Sequence, residues 1–395
     1  MYLLAAPVPQ REHALKLSVI GAGGVGQVIA KHLACTEGTR VKVGDIDRSR
    51  LQEVAKATMG EVSTSRLDAS DPSKVGEFIR GSDVVINAAH PRLNMLIMKE
   101  ALKRRVHYVD LAGYPSEQVK QDSKWTKAGL AAILGMGEDP GFSNVMARRA
   151  VDMLDHVDEV KIRDGETSTS EAYPFVALFA PDVFLEEAVS PARYFENGET
   201  KTSPPMSERE IYRFPPPVGD VPVYRMDHEE VHTLPLYLPK RPKFVDFKLA
   251  LTDDAVSAIR LFLRLGMLNR EPIQVGTAKV SPLNVLLRLL PPPAQIAGKI
   301  QGSAGILVEA SGEESGQRCI YKLFAGITHE EAYDKYGSNA TSYLTGTPTA
   351  VCALMLAEGR IDNRGVILPE CLDAERFIEE AKKFAINVQI QKTTP

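Results

Sequence analysis

A short apolar run, Leu17-Ser18-Val19-Ile20, breaks into Gly21-Ala22-Gly23-Gly24-Val25-Gly26 and resumes at helical spacing with Val28, Ile29 and Leu33. The unbroken run fits a buried strand and the spaced one a helix, which puts the glycines at a strand-to-helix turn. The alternation then repeats: residues 40–44, 65–67, 83–89, 106–111 and 130–136 read as strands, and 94–104 and 116–128 as helices between them. Such alternation predicts an α/β fold with a doubly wound parallel sheet.

Further along, residues 144–154 read as a helix, and 157–163 alternate like a half-exposed strand. Residues 180–222 are rich in Pro, Gly and Ser and read as a long loop, a cover for a site or a surface excursion. Residues 244–252 read as a strand, and 254–268 and 282–290 as amphipathic helices. The apolar faces of these helices suit a core or a dimer surface, with a membrane-lying pair as the alternative. Residues 305–311 and 318–324 read as a hairpin, and the tail as two helices, one following Ser342-Tyr343-Leu344-Thr345-Gly346-Thr347-Pro348 and one over 373–384.

Composition narrows the class. At 395 residues the chain is long enough for more than one domain, and the expected units are 15–140, 141–335 and 336–395. A net charge of −4 without a basic cluster gives no reason to expect nucleic acid or a membrane surface as partner. Apolar stretches are cut by charge well short of a spanning helix, and the first residues lack a signal-peptide pattern. Residues 1–14 read as an arm without an assigned function. Cys35, Cys319, Cys352 and Cys371 have neither CxxC spacing nor disulfide density, which fits a reducing cytoplasm.

The glycine turn is the place for a dinucleotide pyrophosphate. Gly21 permits the tight turn, Gly23 admits the phosphates, Gly26 allows close strand–helix packing, and Gly24 and Val25 open the helix whose free N–H groups face the anion. The strand at 40–44 ends in Asp45-Ile46, nineteen positions after Gly26, where a carboxylate accepts the ribose hydroxyls of NAD. Asp68 adds an acid near the adenine edge, and Ala88 and Ala89 end a strand with small residues that leave room for a flat cofactor. Asp45 favours NAD over NADP; Arg48 and Arg50 keep NADP open. Ligands of such sheets lie beyond the carboxyl ends of the strands, so His90, Asp110, Tyr114 and Asp139 are expected to converge on one crevice.

The glycine turn, the Asp83-Val84-Val85-Ile86-Asn87-Ala88-Ala89 strand, Val109-Asp110-Leu111-Ala112-Gly113-Tyr114 and Gly137-Glu138-Asp139-Pro140-Gly141-Phe142-Ser143-Asn144 together resemble the saccharopine dehydrogenase-like family. That family includes saccharopine, carboxynorspermidine and lysine 6-dehydrogenases. The resemblance implies a Rossmann domain, an α+β middle domain that binds substrate and dimerises, and C-terminal helices returning to the first domain. It also implies a homodimer, and places the start of the Thr345-Gly346-Thr347-Pro348 helix near the cofactor. The implied chemistry is oxidation of a C–N bond of an amino-acid, polyamine or opine-type amine to an imine, followed by hydrolysis, or the reverse condensation.

Within that chemistry Asp139 is the first choice for holding the substrate's cationic amine and taking its proton, the alternative being a turn residue before Pro-Gly. His90 and His232 are candidate general acid–base groups because imidazole titrates near neutrality. Tyr114 is read as hydrogen-bonding the substrate or as a ring packed at the crevice mouth, Arg225 as a surface arginine or a carboxylate clamp, and the segment holding His228 and Thr233 as a polar, substrate-facing stretch or solvated surface. His228-Glu229-Glu230-Val231-His232 also spells a zincin pattern, with both imidazoles on one helix face. Flanking prolines deny it the long helix that zinc needs, so no metal is expected. A dinucleotide-binding sensor without turnover is the reading from another class.

Overall fold

The computed structural model describes residues 14–394, so residues 1–13 of the expected arm lie outside the described residues. Strands β1 (Leu15–Ile20), β2 (Thr39–Asp45), β3 (Ser63–Arg66), β4 (Val84–Asn87), β5 (His107–Asp110) and β6 (Ala131–Ile133) are joined by helices, with α1 (Gly24–Ala34) following the glycine turn. The sheet runs in the order Gly365–Ile367, β6, β5, β4, β1, β2, β3, and every pairing is parallel. The direction of strand addition reverses between β1 and β4, which leaves a crevice above their carboxyl ends. This is the Rossmann-type sheet. Its central strands β1 and β4 are buried on both faces, as Leu17, Val19, Ile20, Val84, Val85 and Ile86 show.

A second, mixed sheet of ten strands is centred on β7 (His156–Asp164), which lies parallel to Phe244–Ala250 and antiparallel to Gln301–Glu314. Helix Ala340–Ala357 lies between the two sheets, touching α1, β4 and β5 on one side and Gln301–Glu314 and Gln317–Thr328 on the other. It is buried on nearly every face. Its threonines return their hydroxyls to carbonyls one turn back, Thr345 to Thr341 and Thr347 to Tyr343, so the polar groups survive burial. No helix among the described residues is long and apolar enough to cross a membrane.

Several elements differ from the sequence expectation. The long helix expected over 116–128 is two, Ser116–Val119 and Asp122–Ala128. Tertiary contacts hold each piece: Gln118 turns inward to Asp110 (2.7 Å), and Asp122 accepts from Val366 N (2.8 Å) on strand Gly365–Ile367. The expected loop over 180–222 is a helix, Pro181–Val189, and four strands from Ala192–Glu196 to Asp220–Arg225. The missed signal was Asn197-Gly198, both at positive φ, which closes a hairpin between two of them. Thr345-Gly346-Thr347-Pro348 lies inside helix Ala340–Ala357 instead of at its start. The tail carries strands as well as helices, since Gly365–Ile367 joins the first sheet and Gln389–Thr393 the second.

The glycine turn is close-packed on both sides. Gly21 has φ +108°, and a Cβ there would lie 2.4 Å from the Ala88 carbonyl oxygen; a Cβ on Gly26 would lie 2.1 Å from that of Gly21. Gly26→Ala is therefore expected to cost about 1–3 kcal/mol by forcing α1 off β1. The check is a lower apparent melting temperature in scanning calorimetry; an unchanged one would mean that the helix can slide without loss.

Candidate active site

The edge above β1, β2 and β4 is built to hold an anion. Gly23 precedes α1 with no side-chain cap, and a Cβ placed on Gly23 would meet nothing within 4 Å. The first N–H groups of the helix therefore face an open cradle, and the residues present fit a dinucleotide pyrophosphate. Asp45, at the end of β2, is buried and accepts from Ala22 N (2.7 Å) and Asp47 N (2.8 Å), which ties the glycine turn to the second strand. Ile46 beside it is exposed, and Ala88 and Ala89 form the opposite wall against Gly21. Asp68 accepts from the Ser70 N–H and hydroxyl and shapes its own turn.

The expected crevice forms only in part. Asp110 is buried and fully engaged, accepting from Tyr108 (2.8 Å), Gln118 (2.7 Å) and Gly135 N (2.7 Å), so it braces the ends of β5 and β6. Burial pushes its carboxyl up to about 6. Tyr114 reaches across from the first sheet to donate to Asp227 at 2.5 Å. Arg193 forms a two-point pair with the same carboxylate and lies 4.9 Å over the Tyr114 ring, while the His232 ring meets Tyr114 edge-on at 5.2 Å. Despite burial, the neighbouring His232 ring and hydrogen bonds from Arg193 and Tyr114 hold the Asp227 carboxyl below the usual range. Gly113 N donates to Glu229 at 2.8 Å, and His90 pairs with Asp182 at 3.2 Å. These contacts join the crevice of the first sheet to the second.

The zincin geometry does not form. The helix begins at Glu230, so His228 lies outside it and the two imidazoles share no helix face. His228 Nδ1 instead bonds Glu230 and stacks on Phe247 at 3.9 Å. Glu230 also accepts from Ser143 (2.6 Å), and Glu229 from Gly113 N, so the three groups that approach one another closely already have proton partners. Burial alone would lower the imidazole, but Glu230, Glu229 and Asp139 hold it well above its ordinary value. The site therefore contains a buried imidazolium. Thr233 is buried and accepts from Asn144 (3.2 Å), which also binds Glu370 (3.0 Å), whereas Arg225 lies over Tyr194 and 3.5 Å from Asp246. Both are engaged within the protein.

The loop Gly137–Gly141 delivers Asp139 beside this imidazolium and Glu138 next to it. Gly141 has φ +132°, and a Cβ there would lie 2.4 Å from Gly137 N, so the turn admits only glycine at that position. Asp139 meets Asp164, from the end of β7, carboxyl to carboxyl. Burial first, and the negative neighbours Glu230 and Glu166, push Asp139 up to about 8 against the opposing pull of His228. Glu166, Glu187 and the fully buried Glu138 and Asp164 are likewise raised by burial, Glu166 to about 7 and Glu187 to about 8. Glu138 keeps both oxygens unbonded and Asp164 one. Sequence reading did not single out Asp164, Glu166 or Glu187. The only available signal was the acid pair in Asp164-Gly165-Glu166, directly after a strand.

An open phosphate cradle at the switch point of a parallel sheet, facing a crevice of titratable groups, defines a dinucleotide-dependent oxidoreductase. Residues 17–133 match the family profile described as saccharopine dehydrogenase NADP binding domain, and residues 137–386 the saccharopine dehydrogenase C-terminal domain. Carboxynorspermidine synthase of Vibrio alginolyticus is 30% identical over 408 residues, covering 95% of this chain and 97% of that protein. Carboxyaminopropylagmatine dehydrogenase of Synechocystis sp. is 29% identical over 379 residues, covering 92% and 94%. The apo structure of saccharopine dehydrogenase (L-Glu forming) from Saccharomyces cerevisiae superposes with a TM-score of 0.73 at 15% identity, covering 96% of this chain and 100% of that one. The chain belongs to the saccharopine dehydrogenase family. It is an oxidoreductase that acts on a C–N bond with a nicotinamide dinucleotide.

The raised carboxyls have a consequence for stability. Each binds its proton more tightly in the folded than in the unfolded chain, so its stabilisation is complete below the usual carboxylate range and is lost as the pH climbs toward 8. The raised imidazole of His228 acts in the same direction. The apparent melting temperature of the ligand-free protein is expected to fall between about pH 5 and pH 8, and to fall less in an Asp139→Asn/Glu187→Gln double variant. Parallel melting curves for the two proteins would mean that these carboxyls titrate normally.

Proposed function

We propose that this chain interconverts a cationic secondary amine and the corresponding imine, with a substrate of the amino-acid or polyamine type, and that Asp139 handles the proton of the reacting nitrogen. The observation that carries this reading is the position of Asp139, in the crevice beyond β6 and raised to about 8, where a carboxyl exchanges a proton readily near neutral pH. When bound, the nicotinamide supplies the two-electron redox step. In the oxidative direction Asp139, ionised, would take the ammonium proton and so free the nitrogen lone pair that the imine needs, and water would then add to the imine carbon.

His228, held as imidazolium, keeps the local charge low enough for Asp139 to ionise. His232 is the second proton-transfer candidate, because its Nε2 has no hydrogen-bond partner; His90, paired with Asp182, follows. Tyr114 positions substrate from the wall it forms with Asp227 and Arg193, while Arg225 and Thr233 support the site from within the protein. Names of the relatives carry a carboxylated agmatine and a carboxylated norspermidine, which supports a polyamine-type amine ahead of saccharopine or L-lysine.

For the cofactor, Gly21, Gly23, Gly24, Val25 and Gly26 hold the pyrophosphate, and Ala88 and Ala89 the wall beside it. Asp45 is turned toward Ala22, and Arg66, paired with Asp45 in the β2–β3 register, is exposed at the same edge. That arrangement admits NADP as well as NAD. The domain division we favour is 15–140 for cofactor and 141–335 for substrate and dimerisation, with 336–395 returning to the first domain through Ala340–Ala357 and Gly365–Ile367 while Gln389–Thr393 joins the second sheet. We place the protein in the cytoplasm as a homodimer that meets through the face bearing Leu261, Leu265, Val275 and Leu289, all exposed in the single chain.

Three outcomes follow. In a coupled assay of nicotinamide absorbance with carboxynorspermidine, saccharopine and L-lysine offered in turn, Asp139→Asn is expected to lower kcat/KM by roughly 100-fold or more for the accepted amine; full activity in this variant would remove Asp139 from the chemistry. Arg66→Ala should weaken NADP binding by about tenfold while sparing NAD, read by quenching of Trp125 fluorescence or by calorimetry. Leu265→Glu/Leu289→Glu should convert the dimer to a monomer in light scattering, and a wild-type monomer would refute the assembly.

A further inference from the structure

We propose that Glu370, on the C-terminal turn Pro369–Cys371, is a positioning residue for the reaction: through the Asn144 amide it holds the Gly137–Gly141 turn in the orientation that presents Asp139 to substrate. This rests on the reading of Asp139 as the group that handles the proton of the reacting nitrogen. Three segments far apart in sequence supply the link. Asn144 lies in the first turn of helix Phe142–Asp152, Thr233 in helix Glu230–Tyr237, and Glu370 enters from beyond strand Gly365–Ile367. Asn144 is 1% exposed and Glu370 0%, so water does not compete for their bonds.

The orientation of the Asn144 amide follows from what its neighbours can donate. The Gly141 N–H can only donate, so Asn144 turns Oδ1 toward it at 2.9 Å, and Nδ2 must find acceptors on the opposite side. It finds the Glu370 carboxyl at 3.0 Å and the Thr233 hydroxyl at 3.2 Å. The turn itself is closed by Gly137 N donating to the Pro140 carbonyl (2.8 Å) and Phe142 N to that of Gly137 (2.9 Å). Asn144 therefore anchors from outside a turn whose tip is Asp139, and Glu370 anchors Asn144.

An acid at position 370 is more than the anchoring of a segment requires. Among the described residues no lysine or arginine pairs with its carboxyl; Arg148 binds the Glu370 backbone carbonyl instead, at 3.1 Å, and commits its Nε to Asp152 at 2.8 Å. Oε1 has no hydrogen-bond partner, and burial, reinforced by Glu230, pushes the carboxyl up to about 7. The bond that Oε2 accepts is what this buried group provides. A small cavity lined in part by Gly135, Pro140, Asn144, Thr233 and Pro369 borders the same amide. Asn144 thus has room to rotate away from Gly141 once Nδ2 loses its acceptor, and the turn is then free to aim Asp139 elsewhere.

The test uses the full chain with bound NADP and two readouts: hydrogen–deuterium exchange of the peptide spanning the turn, which needs no substrate, and kcat and KM with whichever of carboxynorspermidine, saccharopine and L-lysine is accepted. In Glu370→Met, protection of the turn and kcat are each expected to fall by about tenfold with KM for NADP unchanged, because the loss is one of aim. Glu370→Gln, whose amide oxygen still accepts from Nδ2, is expected to keep both within about twofold of the unsubstituted chain. Arg148→Met, which loosens the same segment without touching the link, also keeps both. Should Glu370→Met fail to bind NADP, Asn144→Leu, which cuts the link at its other end, takes its place with the same expected losses. Unchanged protection and kcat in the variant that cuts the link, equal losses in Glu370→Gln and Glu370→Met, or an equal loss in Arg148→Met would overturn the proposal. If Asp139→Asn keeps full turnover while protection of the turn still depends on Glu370, the assignment of Asp139 falls and the link stands.

Discussion

One buried imidazolium sets the terms of this site. His228 is stacked on Phe247, bonded to Glu230 and surrounded by carboxyls on three different segments of chain. Without it, Asp139 and Glu230 would lose the positive neighbour that opposes their desolvation. With it, the pair nearest the ring is ionised and the outer carboxyls are left near their titration points. A single cation thus divides one acidic group into a fixed ion pair and a set able to exchange protons.

The geometry that brings these groups together belongs to neither sheet alone. Asp139 hangs from a glycine-bound turn above β6, Asp164 ends β7 in the second sheet, and Glu230 opens a helix that bonds Ser143 beside the same turn. The first sheet contributes Gly113 and Tyr114, which bond Glu229 and Asp227 across the gap. Helix Ala340–Ala357 fills the space between the sheets and leans on the glycine turn so closely that a Cβ on Gly346 would lie 2.9 Å from Val28. The cofactor cradle and the acidic crevice are therefore held by one common core element.

Glycine has different duties in the two halves of this arrangement. Gly21 and Gly141 stand at positive φ with backbone pressed against them, so each fixes the aim of a turn. Gly23 has open space before it, and that space faces helix N–H groups whose partners lie outside the chain. A motif spelled by three glycines thus combines two positions that need closeness with one that needs room.

The sequence by itself determined the parallel sheet, its glycine turn and the family, because hydrophobic period and backbone permissiveness are local properties that survive without partners. It also placed Asp139 and Tyr114 beyond strand ends. It misjudged residues 116–128 and 180–222: the break at 120–121 follows from Gln118 and Asp122 finding partners far away in the chain, and the second region was hidden by its turn-rich composition despite Asn197-Gly198. Asp110 and Thr233 looked available for ligand and turned out to be hydrogen-bonded inside. Tertiary structure alone decided which acids meet, since Asp164, Glu166 and Glu187 carry no periodicity or spacing that links them to Asp139. Their shared charge arises from segments converging out of two sheets, and desolvation, which sets their protonation, exists only after that convergence.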